Sequence, residues 1–167
     1  MPAKALIVMG VSGAGKSTIG SLLSSRLGWD FCEGDTLHSE SAVASMAAGT
    51  PLGDADRAPW LDRLAQWTFQ HLDAGRSAVV AASLLKRQYR ERFHDPRITF
   101  VFLTGPRDVV AARLRARRGH FMPAALLDSQ LDILEPPTPD EQFARITVAQ
   151  RPEAIVDEII ERLCLRA

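Results

Sequence analysis

Apolar positions follow two rhythms along the chain. Unbroken runs at Ala5-Leu6-Ile7-Val8-Met9, Ala78-Val79-Val80-Ala81-Ala82 and Ile98-Thr99-Phe100-Val101-Phe102-Leu103 have the length and composition of strands buried on both faces. Between them, apolar residues recur at three- and four-residue intervals: Ile19, Leu22, Leu23 and Leu27; Trp60, Leu61, Leu64 and Leu72; Val109, Val110 and Leu114; Ile155, Val156, Ile159, Ile160 and Leu163. That spacing places one apolar stripe on a helix. Trp60 and Trp67 therefore read as core residues. Weaker signals add strands at Trp29–Glu33 and Arg145–Ala149, a helix over residues 37 to 48 closed by Gly49-Thr50-Pro51, and another helix opened by Ser83-Leu84-Leu85-Lys86-Arg87. Strands alternating with helices predict an α/β fold, a five-stranded parallel sheet covered by helices on both faces.

One polar interruption carries chemistry. Between the first strand and the first helix stands Gly10-Val11-Ser12-Gly13-Ala14-Gly15-Lys16-Ser17-Thr18, which reads G-x-x-x-x-G-K-S, a phosphate-binding loop. Backbone N–H groups of such a loop turn inward as a nest of partial positive charge, and the helix N-terminus behind it favours anions. Lys16 adds a full charge against the outer phosphates of a nucleotide, and Ser17 offers a hydroxyl to a magnesium ion bridging them.

Composition narrows the partners. In 167 residues, 20 acidic and 20 basic side chains balance to zero formal charge, which argues against general nucleic-acid or membrane-surface binding. The length fits one domain over residues 1–167. Cys32 and Cys164 have neither a disulfide framework nor metal-finger spacing, and the apolar run at the start is too short for a secretory signal, so a cytoplasmic protein is expected.

Further polar residues sit where ligands bind in open parallel sheets, at strand C-terminal ends. Glu33 and Asp35 follow the second strand; either they belong to a polar turn, or Asp35 faces Lys16 and Ser17, near the magnesium, to orient an acceptor hydroxyl and take its proton. Arg113, Arg115, Arg117 and Arg118 form a basic run ending in Gly119. It is either a solvated helix end or a lid whose arginines reach the moving phosphoryl group and exclude water. His38 and His120 lie beside these segments, and Arg57, Lys86 and Arg90 are candidate contacts for an anionic acceptor.

Taken together, these stretches resemble the bacterial gluconate kinases, small phosphate-loop enzymes related to shikimate and nucleoside-monophosphate kinases. The resemblance rests on MGVSGAGKS (Met9 to Ser17), Gly34-Asp35 with Leu37-His38, MAAGTPL (Met46 to Leu52), DRAPWL (Asp56 to Leu61), Leu85-Lys86-Arg87 with Tyr89-Arg90, RRGHFM (Arg117 to Met122), Ser129-Gln130 and LEPP (Leu134 to Pro137). It implies ATP phosphates with magnesium on Gly10 to Thr18. The acceptor, a sugar acid such as gluconate, would be handled near Asp35, His38, Arg57 and Lys86. A mobile lid would span about residues 115–130 and include Arg117, Arg118, His120 and Gln130, and the adenine would lie near Gln150 to Pro152. Such enzymes are often homodimers. The chain departs from the family pattern at Glu33, Ser39, Ala42, Ser45, Ala55 and Leu84; Glu33 is a mild change, while Ala42 and Ser45 remove polar groups from the acceptor-side helix and bear on the preferred sugar acid. The competing readings are a kinase for another small hydroxy acid, and a nucleotide-binding switch without transfer chemistry; the latter lacks a guanine-reading Asn-Lys-x-Asp.

Overall fold

A computed structural model describes residues 2–50, 52–116 and 124–167. Five parallel strands, β1 Ala5–Met9, β2 Asp30–Glu33, β3 Ala78–Ala81, β4 Ile98–Thr104 and β5 Phe143–Thr147, lie in the order β2-β3-β1-β4-β5. Strands added first go to one side of β1 and later ones to the other. The sheet therefore has its topological switch beside β1, whose C-terminal end opens into a crevice.

The alternation of side chains along a strand assigns the two faces. Leu6 and Val8 of β1 join Val79, Val101, Leu103 and Ile146 under α1 (Lys16–Leu27), α5 (Arg107–Ala116), α6 (Ala124–Ile133) and α7 (Pro152–Arg162). Ile7 and Met9 join Val80, Phe100 and Phe102 on the opposite face, under Trp60, Leu61, Leu64 and Leu72 of α3 (Asp54–Asp73). Every residue of β1 is buried, which is why its sequence reads as an unbroken apolar run.

Three expectations need correction. Residues 37 to 48 are not one helix: Gly34–Leu37 form a 3₁₀ turn, and α2 (Glu40–Ala47) begins after Ser39, whose Oγ accepts the Ala42 N–H at 3.2 Å. The fifth strand begins and ends two residues earlier than Arg145–Ala149. Ser83 does not open a helix either. Leu84 and Leu85 are both buried but belong to opposite faces of the molecule, and Leu84 has a positive φ of 38°, which a right-handed helix excludes; helix α4 is confined to Arg87–Arg90. The expected lid region holds the end of α5 and most of α6; Arg117, Arg118, Gly119 and His120 lie outside the described residues. No helix among the described residues is long and apolar enough to cross a membrane.

Candidate active site

The phosphate loop is shaped by close approach. Gly10 has φ 146°, and a Cβ there would stand 2.7 Å from the Leu103 carbonyl oxygen at the end of β4. Gly13, at φ 85°, is pressed against the Val110 carbonyl of α5 in the same way, at 2.9 Å. Only glycine combines these angles with that proximity. Gly10 N–H donates to the Ser83 carbonyl at 3.4 Å, tying the loop to the end of β3. Lys16 begins α1, which has no side-chain cap, so the first-turn N–H groups are available to an anion. The Lys16 ammonium donates to the Val11 carbonyl at 3.1 Å, folded back over the loop that precedes it.

Beside the loop a cavity of about 300 Å³ is lined by Gly13, Gly15, Thr18, Ile19, Arg113 and Pro152. Arg113 Nη2 donates to the carbonyls of Val148 and Gln150, which ties the turn after β5 to α5. Gln150 in turn donates from Nε2 to Glu158 at 2.7 Å and to the Thr147 carbonyl at 3.1 Å. Within the basic run, the sequence gives no means of singling out Arg113. Its distinction is the contact with a segment more than thirty residues away.

The acceptor side is built on the 3₁₀ turn after β2. Gly34 packs so closely on β3 that a Cβ would lie 2.5 Å from the Ala81 carbonyl oxygen. Trp60 Nε1 donates to the Gly34 carbonyl at 2.7 Å, and the His38 ring stacks on Trp60 at 4.4 Å with 10° between planes. The turn is thus held from the α3 side while Asp35 stays exposed. His38 Nδ1 is buried and has no hydrogen-bond partner among the described residues. Burial lowers the His38 pKa; Asp35 pulls it upward, and Arg57 and Arg63 push it down further. The ring is therefore neutral near pH 7.

Next to it, Arg57 is 9% exposed. Its Nε reaches the Leu52 carbonyl at 3.4 Å, and its guanidinium lies 5.6 Å from the centre of the Tyr89 ring. No carboxylate pairs with Arg57 among the described residues. The Lys86 ammonium also lies over the same ring, 5.8 Å from its centre, and donates to Asp54 Oδ1 at 3.0 Å. The Tyr89 hydroxyl donates to that same oxygen. Hydrogen bonds from Tyr89 and then Lys86 bring the Asp54 pKa down to about 2, while burial, followed by the bond to Asp54, raises that of Tyr89. Neither Asp54 nor Tyr89 stands out in the sequence as a member of this cluster.

Two more expected residues have protein partners of their own. Arg90, a candidate acceptor contact by composition, is 3% exposed and paired with Glu141, so it is not open to a ligand. Gln130 stands on α6 with its Oε1 accepting the Ser12 N–H at 2.7 Å. A magnesium site fits the donors present. Ser17 and Asp35 stand at the C-terminal edge of the sheet, and no cluster of three His, Cys, Asp or Glu side chains exists among the described residues. Magnesium keeps several waters and leans on substrate phosphates, so it needs no such cage.

Comparison with known proteins agrees with this geometry. A family model described as an AAA domain matches residues 6–137. A gluconokinase of Gluconobacter oxydans is 47% identical over 157 residues, 93% of this chain and 88% of that protein. An unliganded sugar kinase structure from Janibacter sp. superposes with a TM-score of 0.92 at 42% identity, covering 98% of this chain and 96% of the other. A gluconokinase structure from Sinorhizobium meliloti gives 0.86 at 39% identity, covering 96% and 91%.

Proposed function

Since the chain belongs to the gluconokinase family, we propose that it transfers the γ-phosphoryl group of ATP to the primary hydroxyl of D-gluconate, giving 6-phosphogluconate and ADP. The observation that carries the acceptor assignment is Arg57: a nearly buried guanidinium with no carboxylate partner among the described residues, sharing the Tyr89 ring with Lys86. A buried cation without a counter-ion is costly, and a carboxylate-bearing substrate removes that cost.

In this reading the loop from Gly10 to Thr18 holds the triphosphate, and the base enters the cavity between Arg113 and Pro152. From its place at the Val11 carbonyl, Lys16 reaches the outer phosphates. Ser17 and Asp35 would hold magnesium, which when bound would offset the phosphate charge. Asp35 also orients the acceptor hydroxyl and accepts its proton. Neutral His38 receives or donates a hydrogen bond to a sugar hydroxyl, while Arg57 and Lys86 take the carboxylate. Arg117, Arg118 and His120 act from the lid, a role supported by the RRGHFM motif. Catalysis is then mostly positioning and charge stabilisation.

The deciding experiment measures ADP release with and without gluconate and follows the product by phosphorus NMR. Gluconate-dependent release with a new phosphomonoester signal is expected. Release that ignores gluconate but responds to another hydroxy acid in a panel would overturn the acceptor assignment.

A further inference from the structure

The peptide unit joining Val11 and Ser12 is gripped on both sides. Its carbonyl accepts from the Ala14 N–H at 3.1 Å and from the Lys16 ammonium at 3.1 Å. Its N–H donates to Gln130 Oε1 at 2.7 Å, across 118 residues of sequence. In a trans peptide the carbonyl and the N–H point in opposite directions, so holding one end fixes the other. Of the two ends of a carboxamide, only the oxygen can face a backbone N–H.

Gln130 is itself well anchored. One turn earlier, Leu127 is buried in the core shared by α1 and α5, and Asp128 pairs with Arg107 of α5 at 2.9 Å. Just beyond α6, the Leu134 N–H donates to the Gln130 carbonyl and the Glu135 N–H to the Leu85 carbonyl, at 2.9 and 2.8 Å. The helix carrying Gln130 thus runs from within the expected lid region toward the segment that supplies Lys86.

From this arrangement we infer that Gln130 is a positioning residue of the phosphate loop: by holding the Val11–Ser12 peptide it sets the direction of the Val11 carbonyl and, through it, the place from which Lys16 reaches the nucleotide. A lysine misplaced by about an ångström loses of the order of 100-fold in rate. The inference rests on the loop being the nucleotide site, and it gives Gln130 a role on the loop rather than on the acceptor.

The test uses the full chain and two substitutions. Gln130→Leu removes the acceptor oxygen at similar size. Its kcat should fall ~10- to ~100-fold with KM for gluconate unchanged. Gln130→Glu keeps an oxygen acceptor, so kcat should be retained, while its charge raises KM for ATP. A wild-type kcat in Gln130→Leu, or equal damage in both variants, overturns the inference. Amide exchange at Ser12, read by NMR on the unsubstituted, ligand-free chain, needs no variant. Exchange slowed at least ~10-fold is expected for a hydrogen-bonded amide, and exchange at the unprotected rate overturns the inference. Because that reading involves no substrate, a chain inactive on gluconate with a protected Ser12 would sink the acceptor assignment and leave this one standing.

Discussion

Arg90 and Glu141 meet fork to fork, Nε to Oε2 at 2.7 Å and Nη2 to Oε1 at 3.1 Å, with side chains only 2% and 10% exposed. Arg90 Nη1 also donates to the carbonyls of Leu84 and Leu85, at 3.0 and 3.3 Å. Leu84 holds a positive φ of 38°, unusual for a branched side chain. The pair therefore braces the bend that gives Ser83 to the phosphate loop and Lys86 to the acceptor side.

Removing one partner strands a buried charge, and such losses amount to about 3–5 kcal/mol. Arg90→Ala should lose that much in urea unfolding. The paired replacement Arg90→Met with Glu141→Leu should lose much less, because no charge is left behind. A loss under about 1 kcal/mol for Arg90→Ala would show that the bend stands without its brace.

Gly10 and Gly28 separate conformational strain from steric exclusion. Both have positive φ, 146° and 67°, but a Cβ at Gly28 meets nothing within 4 Å while one at Gly10 strikes Leu103 O. Gly28→Ala should destabilise by about 1 kcal/mol with ATP affinity unchanged. Gly10→Ala should destabilise by more than about 2 kcal/mol and weaken binding of an ATP analogue, since the strand end must move. Equal effects at the two sites would mean that the approach to Leu103 does not shape the loop.

The loop and the sheet were legible because they follow from local rules. A buried parallel strand such as β1 must be apolar throughout, and a phosphate nest needs glycines at fixed spacing. What was not legible depends on distant partners. The Ser83–Lys86 stretch has helical composition, yet Leu84 and Leu85 are drawn to opposite cores. Arg90 and Arg57 look alike in sequence; one finds Glu141 about fifty residues later and the other finds no carboxylate among the described residues. Composition offered Arg57, Lys86 and Arg90 alike; the resemblance to gluconate kinases singled out Arg57 and Lys86, but it could not reveal that Tyr89 and Asp54 hold the lysine in place.

Arg57 supplies the clearest test of acceptor binding. Its fork suits a carboxylate better than a lysine's single ammonium. Arg57→Lys should raise KM for gluconate by about 10- to 100-fold, the range of a lost charge-assisted hydrogen bond. KM for ATP should stay within about twofold, given that the loop is built from other elements. A parallel rise in both constants would assign Arg57 to the fold and not to the acceptor.

His38 makes the acceptor side sensitive to acid. Its folded pKa lies below the ordinary value of 6.5, chiefly through burial against Trp60, with Arg57 and Arg63 adding to the effect and Asp35 opposing it. The unfolded chain therefore binds more protons than the folded one between those two values, so stability rises with pH across that window. The contribution of neutral His38 is fully present above 6.5 and is lost as pH falls through 6.5 toward the lower folded value. Urea midpoints at pH 8 and pH 5.5 should show a larger acid loss in the unsubstituted chain than in His38→Gln, which cannot titrate. Protonation would also bring a third positive group near Arg57 and Lys86 and make both ring nitrogens donors. KM for gluconate should accordingly change in the same window, and a pH profile identical in His38→Gln would remove the histidine from the acceptor side.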